Sequence, residues 1–169
     1  MANKRKEFGK IYDQYINKIY RFIFVKVESQ EAAQDLCSET FLKCWEYYKD
    51  DSTKIENISA FLYRVARNLV TDHYRAKGRT QIVSPEFVAI ADPEPGLEER
   101  AILNSDLGNV KAALANLKDD YQNAIVWYYI DDRPIKEVAS LMDKTEDATR
   151  VTIHRAIKAL KGELEHHTS

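Results

Sequence analysis

The chain has 169 residues, which is enough for one ordinary domain or for two small ones. Hydrophobic residues make up 44% of it and charged residues 31%, which is typical of a globular protein with a highly charged surface. The formal net charge is only -2, so any affinity for nucleic acid has to come from how charge is distributed along the chain.

No segment is typical of a membrane span or of a targeting signal. The longest apolar run, Ala124 to Ile130, is far too short to cross a bilayer. The basic residues near the N-terminus are not followed by the apolar core of a signal peptide. Cys37 and Cys44 would share one face of a helix as buried thiols rather than as metal ligands. We therefore expect a cytoplasmic protein without membrane insertion.

Apolar residues at helical spacing predict two amphipathic helices at the start of the chain, the first over Phe8 to Ile23. The second begins after Ser29, a favourable N-cap, and extends to about Tyr48. Its outer face carries an acidic stripe interrupted by an apolar residue: Asp35, Ser38, Glu39, Leu42 and Glu46. Such a stripe is either an ordinary solvated face or a docking surface for a basic partner, and both readings stay open.

The next predicted helix, Ile58 to Arg79, has the most informative pattern in the chain. Asn57 is a suitable N-cap and Gly78 a suitable C-terminal stop. One side is apolar, with Phe61, Leu62, Val65, Ala66 and Leu69. Another side carries Arg64, Arg67, Asn68, Thr71 and Arg75, whose guanidinium and amide groups suit phosphates and base edges. A solvated outer face is the alternative, but Asp72 is the only acid between Phe61 and Thr80.

Prolines and acidic residues mark a linker after this helix. Pro85, Pro93 and Pro95 fall between Ser84 and Gly96, and acids predominate from Ser84 to Asp106. A solvated tether would account for this composition. We accordingly expect a helical domain over 1–80, a linker over 81–100 and a second domain over 101–169.

The second domain has the pattern of a helix-turn-helix. Helices are predicted around Ala101 to Leu117 and Tyr121 to Tyr129, followed by a short helix after Pro134. Thr145 can cap a long final helix that presents Arg150, Val151, His154, Arg155 and Lys158 outward. The predicted fold class is thus all-α, with two small helical bundles joined by an acidic, proline-containing linker.

Two stretches together resemble a known family. AAQDLCSETFLKCWEYY, followed by ISAFLYRVARNLVTDHYRAKGR, resembles region two of the sigma factors of bacterial RNA polymerase. The segment from Ala113 to Leu164 is similar to their region four. The order and linker resemble the small extracytoplasmic-function group of the sigma-seventy superfamily. The resemblance implies a transcription initiation factor that binds core RNA polymerase and directs promoter recognition and opening.

The resemblance also implies roles for particular residues. The acidic stripe (Asp35, Ser38, Glu39, Leu42, Glu46) would dock on the polymerase. The following helix would hold the unpaired minus-ten strand through Tyr63, Arg64, Arg67, Asn68, Thr71 and Arg75, with Tyr63 and Tyr74 available to stack on bases. The minus-thirty-five element would be contacted by Thr145, Glu146, Asp147, Arg150, Val151, His154 and Arg155. Partners would be core polymerase, promoter DNA and, as a further candidate, an anti-sigma protein.

Five residues depart from the family pattern. Ser38 stands where Gln is frequent in the docking helix, and Thr152 stands where Arg is frequent in the final helix. Phe61 replaces a frequent Trp at a position expected to be buried. Asp143 stands where Gly is usual in the helix-turn-helix, but Asp tolerates the left-handed conformation better than most residues. Asp147 stands where Gly is frequent; with Glu146 it either favours the helix N-terminus or accepts hydrogen bonds from cytosine.

Other classes of function remain open. A helix-turn-helix regulator could bind duplex DNA without polymerase, and a helical adaptor could keep only the polymerase-docking helix. An enzyme is the least favoured class, because the sequence has no glycine-rich phosphate loop and no paired His or Cys at metal spacing. We therefore expect no catalytic residues, no metal, no cofactor and no small-molecule substrate.

Overall fold

The computed structural model describes residues 2–50, 54–79 and 111–168. Regular structure in these residues is helical, and none of them forms a strand. The chain divides into two compact units, Met1–Glu94 and Pro95–Ser169. The all-α prediction is confirmed. The predicted linker over 81–100 lies outside the described residues, as do 101–110 of the second predicted domain.

In the part of the first unit that the structure describes, the helices are α1 (Ala2–Phe24), α2 (Gln30–Tyr48) and α3 (Ile58–Arg79). Each packs against the other two. Their core consists of side chains with almost no solvent exposure: Ile19, Phe22, Ile23, Thr40, Cys44 and Leu62. Each of the three helices therefore buries one face in this core and has another face available to solvent or to a partner.

Local hydrogen bonds explain where α2 and α3 begin. The Ser29 hydroxyl accepts from the Ala32 amide at 3.0 Å, and the side-chain oxygen Oδ1 of Asn57 accepts from the Ala60 amide at 3.1 Å. Both N-cap predictions are confirmed, because each side chain satisfies an amide that the helix leaves unpaired. At its other end α3 continues to Arg79, past the stop predicted at Gly78.

Thr40 and the two cysteines place uncharged polar groups in this core. Thr40 donates its hydroxyl to the Leu36 carbonyl at 2.7 Å, one turn back on α2. Cys37 and Cys44 are buried thiols that form no disulfide, as the sequence predicted. Burial raises the pKa of the Cys44 thiol to about 12, because a thiolate would be poorly solvated there.

The second unit contains a helical segment over 111–115, α4 (Asp119–Ala124), α5 (Ile135–Met142) and α6 (Glu146–Thr168). Both α4 and α5 pack on α6. Its buried core includes Leu114, Val126, Val138, Thr149, Ile153 and Ala156.

A π-helical turn, Ile125–Ile130, follows α4 directly, where the sequence predicted ordinary helix. The Asp131 amide donates to the Val126 carbonyl at 2.8 Å, five residues back rather than four. Arg133 follows this turn and is buried, with ion pairs to Asp131 and Glu137. The widened turn thus ends beside a buried arginine with two acidic partners.

The helix-turn-helix connection has the predicted geometry. Pro134 directly precedes α5 in an extended conformation. Asp143 ends α5 in the left-handed conformation, with φ 56° and ψ 46°. The Thr145 hydroxyl accepts from the Ala148 amide at 3.1 Å and caps α6. Asp143 therefore fulfils the role for which glycine is usual.

Candidate nucleic-acid interface

The polar side of α3 faces solvent along its described length. We call Arg64, Arg67, Asn68, Thr71 and Arg75 the α3 strip; all five side chains are exposed. The opposite side carries the buried residues Leu62, Ala66 and Leu69. Thr71 donates its hydroxyl to the Arg67 carbonyl at 3.0 Å. The strip therefore offers cationic and amide groups in a row on a helix that the core holds in place.

Tyr63 corrects one of the sequence-based assignments. Its side chain is only 4% exposed, and its ring packs edge-to-face on Phe22 with centroids 5.1 Å apart. It lies one turn before Ala66 and two turns before Val70, both of which are buried. The prediction that Tyr63 stacks on unpaired bases is wrong, because its ring is part of the core.

Two other aromatic residues flank the strip at the surface. Tyr74 is 47% exposed near the C-terminal end of α3, and its hydroxyl donates to the Lys26 carbonyl. Burial, with the nearby Glu28 carboxylate, raises the pKa of Tyr74. Phe61, expected to be buried, is partly exposed and contacts the ring of Tyr47.

Tyr47 is the surface residue that sequence reasoning missed. It is 52% exposed near the C-terminal end of α2, and its ring lies 5.5 Å from that of Phe61 at 71°. Counted at 100° per residue, it lies about 100° from Glu46 and from the acidic stripe, on the side that faces α3. The sequence did carry a signal for this residue: an aromatic side chain near the end of α2, outside the acidic stripe.

The acidic stripe on α2 is fully at the surface. Asp35, Ser38, Glu39 and Glu46 are exposed, and Leu42 is 59% exposed in their midst. These five residues are the α2 stripe. A cavity of about 250 Å³ borders Asp35 and is also lined by Ser29, Glu31, Ala32, Leu36 and His73. The ring of His73 is within 3.1 Å of the Glu28 carboxylate, which connects α3 to the turn between α1 and α2.

The outer face of α6 carries the other predicted DNA contacts. Their side chains are exposed throughout: Thr145, Glu146, Asp147, Arg150, Val151, His154 and Arg155. Arg150 makes ion pairs with Asp147 at 3.0 Å and with Glu146 at 3.8 Å. The neighbouring Thr152 is buried, accepting from Lys144 at 3.1 Å, so it lies away from this face.

Two negative findings apply to the described residues. Within 2–50, 54–79 and 111–168, no group of His, Cys, Asp and Glu side chains could hold a metal ion. Searched over that same part of the chain, no helix has the length and apolar character needed to cross a membrane.

Family comparisons match both units. The Sigma-70 region 2 family matches residues 11–80, which include the α2 stripe and the α3 strip. The Sigma-70, region 4 family matches residues 107–160, which include the helix-turn-helix. The two regions occur in the order that the sequence predicted.

Curated relatives of this chain include several ECF RNA polymerase sigma factors. The ECF RNA polymerase sigma factor ShbA of Streptomyces griseus is 31% identical over 136 residues, covering 78% of this chain and 69% of ShbA. SigW of Bacillus subtilis is 28% identical over 169 residues, covering 93% of this chain and 88% of SigW. BldN of Streptomyces coelicolor is 28% identical over 160 residues, covering 94% of this chain but only 61% of BldN.

Solved structures agree in fold. The sigma factor RpoE of Bartonella quintana, solved with the anti-sigma factor NepR, has a TM-score of 0.66 at 24% identity, covering 95% of this chain and 98% of RpoE. CnrH, solved with the cytosolic domain of CnrY, has a TM-score of 0.66 at 18% identity, covering 96% of this chain and 90% of CnrH. With the two region matches and the ShbA relationship, the chain belongs to the ECF family of RNA polymerase sigma factors, which are transcription initiation factors.

Proposed function

We propose that this chain binds core RNA polymerase through the α2 stripe and holds unpaired promoter DNA on the α3 strip, so that polymerase can initiate. The observation that carries the proposal is the α3 strip: four cationic or amide side chains and one hydroxyl, all exposed, on a helix whose opposite side is core. In this proposal residues 1–80 form the polymerase and minus-ten domain, 81–100 the linker and 101–169 the minus-thirty-five domain.

DNA opening follows from binding energy alone. Arg64, Arg67 and Arg75 would contact phosphates, and the Asn68 carboxamide would form paired hydrogen bonds with an exposed base. The contact with the exposed base forms only with the separated strand, so its binding energy offsets the cost of unpairing that strand. The polymerase does the chemistry, and this chain supplies no catalytic residue.

Docking would rely on complementary charge. Asp35, Glu39 and Glu46 would face a basic surface of the polymerase, with Leu42 buried at its centre. The apolar residue matters because exposed ion pairs alone contribute little affinity. The site of action would be the cytoplasm, where polymerase works.

The α6 face would bind the minus-thirty-five element in the major groove. Val151 is 48% exposed and could contact a thymine methyl, while His154 and Arg155 could reach base edges or phosphates. Arg150 would exchange its ion pairs with Glu146 and Asp147 for DNA contacts. Because those pairs are exposed, they would oppose the exchange only weakly.

An anti-sigma protein is a proposed further partner. RpoE and CnrH, which share this fold, were each solved in complex with another protein, named as an anti-sigma factor for RpoE. An inhibitor that covered the α2 stripe or the α3 strip would block the proposed activity directly.

A reconstituted transcription assay tests the proposal. Core polymerase with this chain should open promoters that core polymerase alone does not open. Asp35→Arg with Glu39→Arg should abolish this, because reversed charges would repel the basic docking surface. Asp13→Arg, which reverses an exposed acid on α1, is the control and should remain active.

A different outcome would favour a different class. If the chain bound duplex DNA tightly by itself and had no effect on core polymerase, it would act as an independent helix-turn-helix regulator. If it bound polymerase without supporting opening at any promoter, it would act as a docking adaptor.

A further inference from the structure

The exposed ring of Tyr47 lies beside the N-terminal part of the α3 strip. Its edge-to-face partner Phe61 is on α3, one turn before Arg64 and two turns before Asn68. Phe61 and Asn68 therefore lie on the same side of α3. Tyr47, on the neighbouring helix α2, packs against Phe61 at that side. An aromatic ring thus borders the row of cationic and amide groups.

Tyr47 is supported rather than freely mobile. Its ring packs at 71° against Phe61 while 52% of the side chain stays accessible. A side chain already held in place loses less conformational freedom on binding than a free one. Tyr63 cannot play this part, because it is 4% exposed and packs on Phe22.

We infer that Tyr47 is a DNA-binding residue that stacks on an unpaired base of the promoter strand held by the α3 strip. This rests on the proposed function and adds a stacking contact that the strip itself lacks. Proteins that hold single-stranded nucleic acid combine a cationic track with aromatic rings on which bases stack. Arg64 and Asn68 supply the track, and Tyr47 with Phe61 supplies an aromatic platform at its edge.

The position of Tyr47 on α2 separates this role from polymerase docking. The α2 stripe is centred near Asp35, Leu42 and Glu46, whereas Tyr47 is turned about 100° from Glu46 toward α3. A ring on that side can contact DNA lying on α3 while the stripe is occupied by polymerase.

The test measures how tightly holoenzyme binds a partly unpaired probe. The probe is a promoter selected by wild-type holoenzyme from random DNA, with its non-template strand left single-stranded across the minus-ten region. Tyr47→Ala should weaken binding about 5- to 150-fold, the range for loss of one stacked base in other single-strand binders. Tyr47→Phe and Tyr47→Trp should bind like wild type, because both retain a stacking ring.

A matched control and an abasic series identify the contact. Tyr129→Ala removes a tyrosine that is also 52% exposed and also pairs edge-to-face, with Tyr128, and it should not weaken binding to the unpaired strand. Single abasic sites along that strand should weaken wild-type binding at a position where Tyr47→Ala shows no further loss. If Tyr47 had only a structural role, its substitution would weaken binding equally with and without the base at that position.

Three results would overturn the inference. Tyr47→Ala could bind the probe as wild type does, the Phe and Trp variants could be as weak as Ala, or Tyr47→Ala could lose affinity for core polymerase itself. Arg64→Ala with Asn68→Ala, tested on the same probe, separates this from the proposed function. Normal probe binding by that double variant would refute the proposed strip. Weak probe binding by the double variant, together with wild-type binding by Tyr47→Ala, would refute only the stacking role.

Discussion

At the scale of single residues, neighbouring side chains on α3 have opposite surroundings. Tyr63 is enclosed against Phe22, and the next residue, Arg64, is exposed. One step along a helix is a rotation of about 100°, enough to move a side chain from core to solvent. Substitutions at adjacent positions should consequently affect different properties of the protein.

Arg64→Ala with Asn68→Ala should change function without changing stability. Both side chains are exposed, so the free energy of unfolding should stay within about 0.5 kcal/mol of wild type. Polymerase binding should persist while promoter opening, followed by permanganate reactivity of unpaired thymines, should be lost. Parallel loss of polymerase binding would contradict the proposed separation of surfaces.

Tyr63→Ala is expected to show the converse pattern. It removes a buried ring and should destabilise the protein by about 3–5 kcal/mol, as other large aromatic truncations in cores do. Thermal unfolding measures this directly. An unchanged stability would mean that Tyr63 is not part of the core.

At the scale of elements, helix boundaries depend on a few local contacts. Ser29, Asn57 and Thr145 each accept a hydrogen bond from an amide in the first turn of a helix. Asp143 ends α5 at φ 56°, a conformation that costs most residues free energy but costs glycine almost none. The angle between α5 and α6 depends on this residue.

Asp143→Gly should stabilise the helix-turn-helix by about 0.5–1 kcal/mol, because glycine adopts positive φ without steric cost. Hydrogen exchange of amides in α5 and α6 would report the gain. Ser140→Gly, at an exposed position inside α5, is the matched control and should destabilise by about 0.5 kcal/mol. Equal effects of the two substitutions would contradict the assigned conformation.

Features decided by nearby residues were predictable from the sequence, and features decided by packing were not. The caps and the left-handed turn are local, so their residue types identified them. Tyr63 lies at the edge of an amphipathic pattern, where only contact with Phe22 determines its side. The π-helical turn at Ile125–Ile130 leaves no mark in the hydrophobic spacing, and the pairing of Tyr47 with Phe61 joins two helices.

At the scale of the whole molecule, charge is segregated rather than abundant. The formal net charge is -2, yet α2 exposes an acidic stripe and α3 a basic strip within one unit. Opposite surfaces of this kind allow one small domain to bind two macromolecules of unlike charge at once. The dependence of DNA binding on salt should therefore reflect the cations on the proposed DNA-binding faces, the α3 strip among them, and not the total charge.

Replacing Arg64, Arg67 and Arg75 with Ala should reduce this salt dependence. Each phosphate contact to single-stranded DNA contributes roughly 0.7 to the slope of log K against log salt concentration, so the slope should fall by about 2. Titrating holoenzyme with the partly unpaired probe at several salt concentrations measures it. Arg5→Ala with Lys6→Ala and Lys10→Ala, which removes three exposed cations of α1 outside both proposed DNA surfaces, is the control and should leave the slope unchanged. An unchanged slope in the α3 triple variant would argue against phosphate contacts by α3.

The π-helical turn makes the arrangement of helices in the second unit unusually sensitive to the deletion of a residue. A single codon lost within Ile125–Ile130 would remove the surplus residue and leave an unbroken α-helix, with little damage to hydrogen bonding. Everything downstream would nevertheless be rotated by about 100° with respect to α4, which packs on α6. Viable length variants should therefore be rare here, and a shortened allele should keep its helical content while failing at promoters.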